Sequence, residues 1–187
     1  MANYKTRALS EEQYIEILKT IETGFLNSRP NQKVSTILKL EANLGIRISD
    51  ILNLSLNDIV YENGRYRLDI VEQKTGKKRE FTVPLEIVEF LRQYNKTNKI
   101  ADDEKIFNIT ERAVQKHLKK ACDYLGYENI STHSFRKFFA TSIYKDNDYD
   151  IVLVQKLLQH SSPETTQRYI GISQKQIESA LNKHIRL

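Results

Sequence analysis

The side chains best able to do chemistry in this chain are basic, imidazole and phenolic groups. In chain order they are Arg47, then Lys74 with Lys77, Lys78 and Arg79, then His133 and Arg136, then His160, then Tyr169. Arg47 stands just after Gly45 among apolar neighbours, so it is expected at a partly buried helix start. A buried guanidinium needs an anionic partner. Asp50, three residues on, is one option. A phosphate is the other, because the planar fork of donors matches phosphate oxygens. Lys74, Lys77, Lys78 and Arg79 crowd around Gly76. They are either a solvated turn or a cationic arm able to enter a nucleic-acid groove. His133 and Arg136 are three apart and share a helix face. His160 follows an apolar helical stripe, where it can act as a favourable C-terminal cap. Tyr169 is one of ten tyrosines, and by itself it reads as a core tyrosine with a bonded hydroxyl.

The elements that must hold these groups are mostly helical. Ser10-Glu11-Glu12-Gln13 is a capping box, with Ile15, Leu18, Ile21 and Phe25 following at helical spacing. Asn31–Leu44 reads as a second helix ended by Gly45, and Arg47–Leu54 as a short third. The period then changes to two. Arg65–Ile70 alternates as a half-buried strand, Asn63-Gly64 is a hairpin signal, and a second turn at Lys74–Lys77 leads to Phe81 and Val83. Residues 58–84 are therefore expected to form a three-stranded antiparallel sheet that Pro84 ends. Apolar stripes place further helices at Pro84–Tyr94, Thr110–Leu125, Thr132–Tyr144, Tyr149–Leu158 and Ser173–His184, with Phe135, Phe138, Phe139 and Ile143 facing a core. Ser162-Pro163 has the chemistry of a helix start. The fold class is mainly α with one small antiparallel sheet (α+β).

Composition narrows the partner. The net charge is +5 and 28% of residues are charged, a mild basic bias that suits a polyanion, nucleic acid above all. No apolar stretch approaches the roughly 20 residues of a membrane span, and no apolar signal core follows Met1. Membrane association is not expected. A single cysteine, Cys122, cannot form an internal disulfide, which fits a cytoplasmic setting. One cysteine and four histidines leave little for a structural zinc site.

Each piece is weak alone, but the ordered set is specific. The stretches "LGIRISDILNLSLNDI", "QKTGKKREFTVPL", "THSFRKFFATS" and "KLLQHSSPETTQRYIG" resemble the tyrosine recombinase (phage integrase) family from about Leu9 to the C-terminal helix. Two positions depart from the pattern. Lys137 stands where the family often has His, and Gln159 where it often has Gly. Most members also carry an N-terminal helical DNA-clamping domain, whereas residues 1–187 read as a single catalytic domain, either a short member or a fragment.

The resemblance implies site-specific DNA strand transfer with no metal and no ATP. Tyr169 would be the nucleophile, forming a 3′-phosphotyrosine and releasing a 5′ hydroxyl. Arg47 and Arg136 would clamp the phosphate, and Lys74 would protonate the leaving oxygen. His133 would accept the tyrosine proton and His160 would bond the phosphate, two roles that can be exchanged. Lys77, Lys78, Arg79 and Lys137 would contact double-stranded DNA. Four protomers on two duplexes are expected during the reaction, and a monomer without DNA. The last helix would dock on a neighbouring subunit or pack on its own core. Two rivals remain: a type IB topoisomerase-like enzyme of similar chemistry and a catalytically silent DNA-binding protein of the same fold.

Overall fold

A computed structural model describes residues 6–26, 28–170, 178 and 182. Among these the chain forms eight α-helices and one three-stranded sheet. It divides into two compact units, one running to Phe139 and one starting at Ala140.

In the first unit, α1 (Glu11–Thr23) begins with the expected capping box. The Ser10 hydroxyl accepts from the Gln13 amide, and the Gln13 side chain accepts from the Ser10 amide. Its buried stripe is Ile17, Leu18 and Ile21, while Ile15 lies outside at 55% exposure. Of the expected stripe, Leu18, Ile21 and Phe25 are buried and only Ile15 turns outward. The helix α2 (Gln32–Leu44) is capped by the Asn31 side chain and closed by Gly45 in the left-handed region at φ 57°. Its face Val34, Ile37, Leu38 is fully buried. The third helix, α3, is shorter than expected, spanning Ile48–Ile51 with Arg47 as its N-cap.

The strands are β1 (Ile59–Glu62), β2 (Arg65–Val71) and β3 (Lys78–Thr82), paired antiparallel in that order. Asn63 and Gly64 both have positive φ, 52° and 78°, as a tight hairpin with right-handed strand twist requires. Leu68 pairs with Ile59 on one side and Phe81 on the other, and it is fully buried. Helices α4 (Leu85–Asn98), α5 (Glu111–Leu125) and α6 (Thr132–Asp146) follow. Leu91, Val114, Leu118 and Phe135 join Ile17, Ile21, Ile37 and Ile51 in one apolar core. Cys122 is a buried member of this core, and burial pushes its thiol up to about 12, away from the thiolate form.

In the second unit, α7 (Ile151–Leu158) is capped at its start by Asp150. It packs against α8 (Pro163–Ile170). Proline at the first helical position of α8 matches the expected start. The expected helix at Ser173–His184 lies outside the described residues, apart from Glu178 and Asn182, which are both helical. Among the described residues no helix is long and apolar enough to cross a membrane.

Candidate active site

The corner between α2 and α3 organises the site. Gly45 turns the chain, and Arg47 caps α3 in an extended conformation at φ −74°, ψ 151°. Because Arg47 sits outside the helix proper, its side chain does not lie over Asp50. Its Nη1 donates instead to Oε2 of Glu72 at 2.5 Å. The expected Arg47–Asp50 pair is thus replaced by Arg47–Glu72. Asp50 accepts from the Gln73 amide through Oδ1 at 2.8 Å.

Arg136 reaches the same corner from α6. Its Nη1 donates to the Gly45 carbonyl at 2.6 Å, two residues before Arg47. The residue is fully buried. His133, one turn earlier, is half-buried. Burial holds its imidazole far below the usual range, at about 4, and the positive charges of Arg136, Lys137, Arg47 and Lys74 push the same way. The charges of all four cations therefore reach this one ring. His133 is neutral at pH 7, the form that can take up a proton.

Lys74 is exposed in the turn between β2 and β3. That turn is ordered by its own bonds. The Glu72 amide donates to the Lys77 carbonyl at 3.0 Å, and the Gly76 amide to the Glu72 carbonyl at 2.8 Å. Lys77 and Lys78 flank it on the exposed side. Lys78 pairs with Asp69 at 3.2 Å and with Glu80. Arg79 is placed differently from its neighbours. It points inward at 1% exposure, donates to Oε1 of Glu72 at 2.9 Å and lies 5.1 Å over the Phe81 ring. So the expected surface contact at Arg79 is a buried structural cation. The cause is strand alternation, which puts Arg79 on the face of Phe81. Lys137 is half-buried, and its Nζ donates to the Thr6 carbonyl.

In the second unit, Gln159 ends α7 in the left-handed region at φ 52°, the position where the sequence pattern often has Gly. This turn delivers His160, whose Nδ1 lies 3.0 Å from Oγ1 of buried Thr166. The His160 ring meets the Tyr169 ring edge to face, with centroids 4.6 Å apart. His160 is therefore more than a helix cap, and the α7–α8 corner presents imidazole and phenol together. Among the described residues no cluster of three or more His, Cys, Asp or Glu is arranged to hold a metal ion.

With Arg47, Lys74, His133 and Arg136 gathered at one corner and His160 beside Tyr169 at another, likeness to known proteins becomes informative. The model of the phage integrase family matches residues 7–176. The chain belongs to the phage integrase family.

This integrase-family chain is similar to a probable integrase/recombinase YoeC of Bacillus subtilis, 32% identical over 86% of this chain and 88% of that protein. It is also similar to the tyrosine recombinase XerC of Caldanaerobacter subterraneus, 29% identical over 94% of this chain. It spans only 50% of the length of that XerC and 60% of a probable integrase/recombinase of Acholeplasma phage L2. Among solved structures, XerH site-specific recombinase in a post-cleavage complex with its palindromic difH substrate superposes with a TM-score of 0.75. The identity is 23%, over 97% of this chain and 54% of that one. The catalytic domain of bacteriophage HP1 integrase superposes at 0.66 with 20% identity, over 96% of both chains. The integrase fold is thus shared well beyond clear sequence likeness.

In this integrase-family chain, Glu72 is the residue that sequence reasoning passed over. A signal was present. Tyr66, Leu68 and Ile70 run along one strand face, and the next position inward is Glu72. A carboxylate on an apolar face has to meet a cation, and the facing strand supplies Arg79. Burial raises the Glu72 carboxyl, but hydrogen bonds from Thr75, Arg47 and Arg79 outweigh it and hold the group below its ordinary value. Glu41 was passed over too. It is buried on α2 at 1% exposure, and its Oε2 has no hydrogen-bond partner among the described residues. Burial lifts its carboxyl well above the ordinary range, against the opposing charge of Arg136.

Proposed function

We propose that the chain breaks and rejoins DNA strands at specific sites through a covalent 3′-phosphotyrosine. The Tyr169 oxygen forms a bond to phosphorus and the bond from phosphorus to the 5′ oxygen breaks. The Tyr169 proton passes to His133, and the 5′ oxygen takes a proton from Lys74. One phosphoester replaces another, so the step needs no nucleotide energy. Attack by a second 5′ hydroxyl reverses it on a new partner.

The observation that carries this reading is the convergence of Arg47, Lys74, His133 and Arg136 on one corner. The transition state gathers negative charge on non-bridging oxygens, and two guanidinium forks are suited to receive it. In this role they replace the divalent cation of other phosphoryl-transfer sites. Arg136 is fully buried, so phosphate binding requires the corner to open around it. A neutral His133 supports its part as proton acceptor. His160, packed on the Tyr169 ring, bonds the phosphate and steadies the nucleophile. The DNA contacts are Lys77, Lys78 and Lys137, and the working assembly is four protomers on two duplexes.

The test is covalent capture on a nicked suicide substrate built from DNA flanking the gene, with EDTA present. The wild-type chain forms a protein–DNA adduct, while Tyr169→Phe binds the same DNA and forms none. An adduct from the Phe variant overturns the nucleophile, and a strict requirement for magnesium overturns the metal-free mechanism.

A further inference from the structure

We infer that Glu72 is a positioning residue that holds Arg47 and the Lys74 turn as one unit. This rests on the reading of Arg47 and Lys74 as phosphate-handling groups. The Glu72 side chain has no exposed surface. Oε2 accepts from Arg47 Nη1 at 2.5 Å and from Thr75 Oγ1 at 2.8 Å. Oε1 accepts from Arg79 Nη1 at 2.9 Å. The same residue closes the turn through its backbone, bonded to Lys77 and Gly76. Lys74 and Thr75 lie inside that closed segment. Its neighbour Gln73 is tied to Asp50 on α3. The residues just before Lys74 are thus fastened to the corner that carries Arg47, and Glu72 is the fastening that also touches the arginine.

The charge pattern explains why this group is a carboxylate. Two guanidiniums meet at Glu72, and Arg79 is buried beneath the strand. A neutral side chain there would strand the Arg79 charge in a dry site. The anion neutralises Arg79 and leaves the geometry of Arg47 fixed. Arg47 uses one terminal nitrogen for Glu72 and keeps 22% of its side chain exposed. The remaining edge of the fork can meet a phosphate while the first contact persists. Glu72 therefore orients the donor without consuming it, as partners behind an active-site group do elsewhere.

The experiment is single-turnover cleavage of the suicide substrate, with DNA affinity and amide hydrogen exchange measured alongside. Glu72→Gln is compared with wild type, and Glu72→Gln/Arg79→Met with Arg79→Met, so that a stranded Arg79 cannot mask the result by unfolding. Cleavage falls at least tenfold, and toward 100-fold, since misplacement by about 1 Å costs on that order. DNA affinity changes less than threefold. In an Arg47→Ala background the Glu72 change costs clearly less than in wild type, because only its hold on the Lys74 turn remains. Exchange at the Gln73, Gly76 and Lys77 amides accelerates in Glu72→Gln and in Arg47→Ala. Wild-type cleavage rates in a folded Glu72→Gln chain overturn the inference, as does a full tenfold loss persisting without Arg47. A wild-type chain that forms no adduct would sink the proposed reaction instead, and the exchange data would still decide whether Glu72 holds the turn.

Discussion

The Gly45 carbonyl accepts a 2.6 Å hydrogen bond from Nη1 of Arg136, 91 residues later in the chain. Two more bonds, from Arg79 Nη2 at 3.4–3.5 Å, reach the Gly45 and Leu44 carbonyls. The end of α2 therefore serves as the dock for both buried arginines. Helices leave their last carbonyls without internal partners, and here those orphans orient the cations.

Gly45 has two reasons to remain glycine. Its φ is 57°, and a Cβ there would lie 2.3 Å from Cδ1 of Phe139. Phe139 is on the same helix as Arg136, so close approach of backbone and ring sets how deep α6 sits. Gly45→Ala is expected to cost about 1–3 kcal/mol by overpacking, plus roughly 1 kcal/mol of left-handed strain. Urea denaturation measures the loss. Gly45→Ala/Phe139→Leu should recover part of it, because the steric fraction is relieved and the backbone fraction is not.

Much of this arrangement was legible from residue types. The capping box at Ser10, the helical spans opening at Asn31 and Thr110, the Asn63-Gly64 turn and the Pro163 start are local signals whose physics needs no tertiary context. The Glu72–Arg79 pair is partly local, since alternation alone carries both residues to the inner face. What no local rule gives is the partner of Arg47. Asp50 is closer in sequence, but the choice of Glu72 depends on where β2 ends relative to α3. Burial of Arg136 against a backbone carbonyl is likewise tertiary, because its acceptor is a group that every residue possesses.

His133 supplies a prediction with a definite sign. Its pKa is about 4 in the folded chain against 6.5 for an ordinary histidine. Above pH 6.5 neither state binds the proton, and the stabilising contribution is fully present. Below 6.5 the unfolded chain takes up the proton first, so stability falls until about pH 4. NMR titration of the His133 ring should give a midpoint near 4. His133→Asn should flatten the pH dependence of urea stability between 6.5 and 4. A phosphate bound at Arg47 and Arg136 should raise the midpoint, since an opposite charge favours the imidazolium.

Glu41 predicts the reverse slope. Its folded carboxyl lies well above the ordinary 4.5, chiefly through burial. The stability this provides is fully present below pH 4.5 and is lost as pH rises through the folded pKa. Glu41→Gln keeps shape and removes the titration. Its Tm should match wild type near pH 4.5 and exceed it near pH 8. A lower Tm at pH 8 would mean that Glu41 is held as an anion, stabilised by Arg136.

Lys74 can be tested by its chemistry alone. A general acid matters only where the leaving oxygen needs a proton. Lys74→Ala is expected to slow cleavage of an ordinary phosphodiester by 10²–10⁴-fold, the usual span for a general acid. On a substrate whose leaving group departs without a proton, such as a 5′-thiolate, the loss should shrink to less than tenfold. The residual loss would report the missing positive charge near the phosphate. Because Lys74 is exposed in the turn, the substitution should leave Tm unchanged, so the ratio of the two losses reads chemistry and not folding. Equal losses on both substrates would remove Lys74 from the acid role and leave it as an electrostatic contact. The proton would then have to come from another group near the leaving oxygen, and His133 offers little supply, since its neutral form dominates above pH 4.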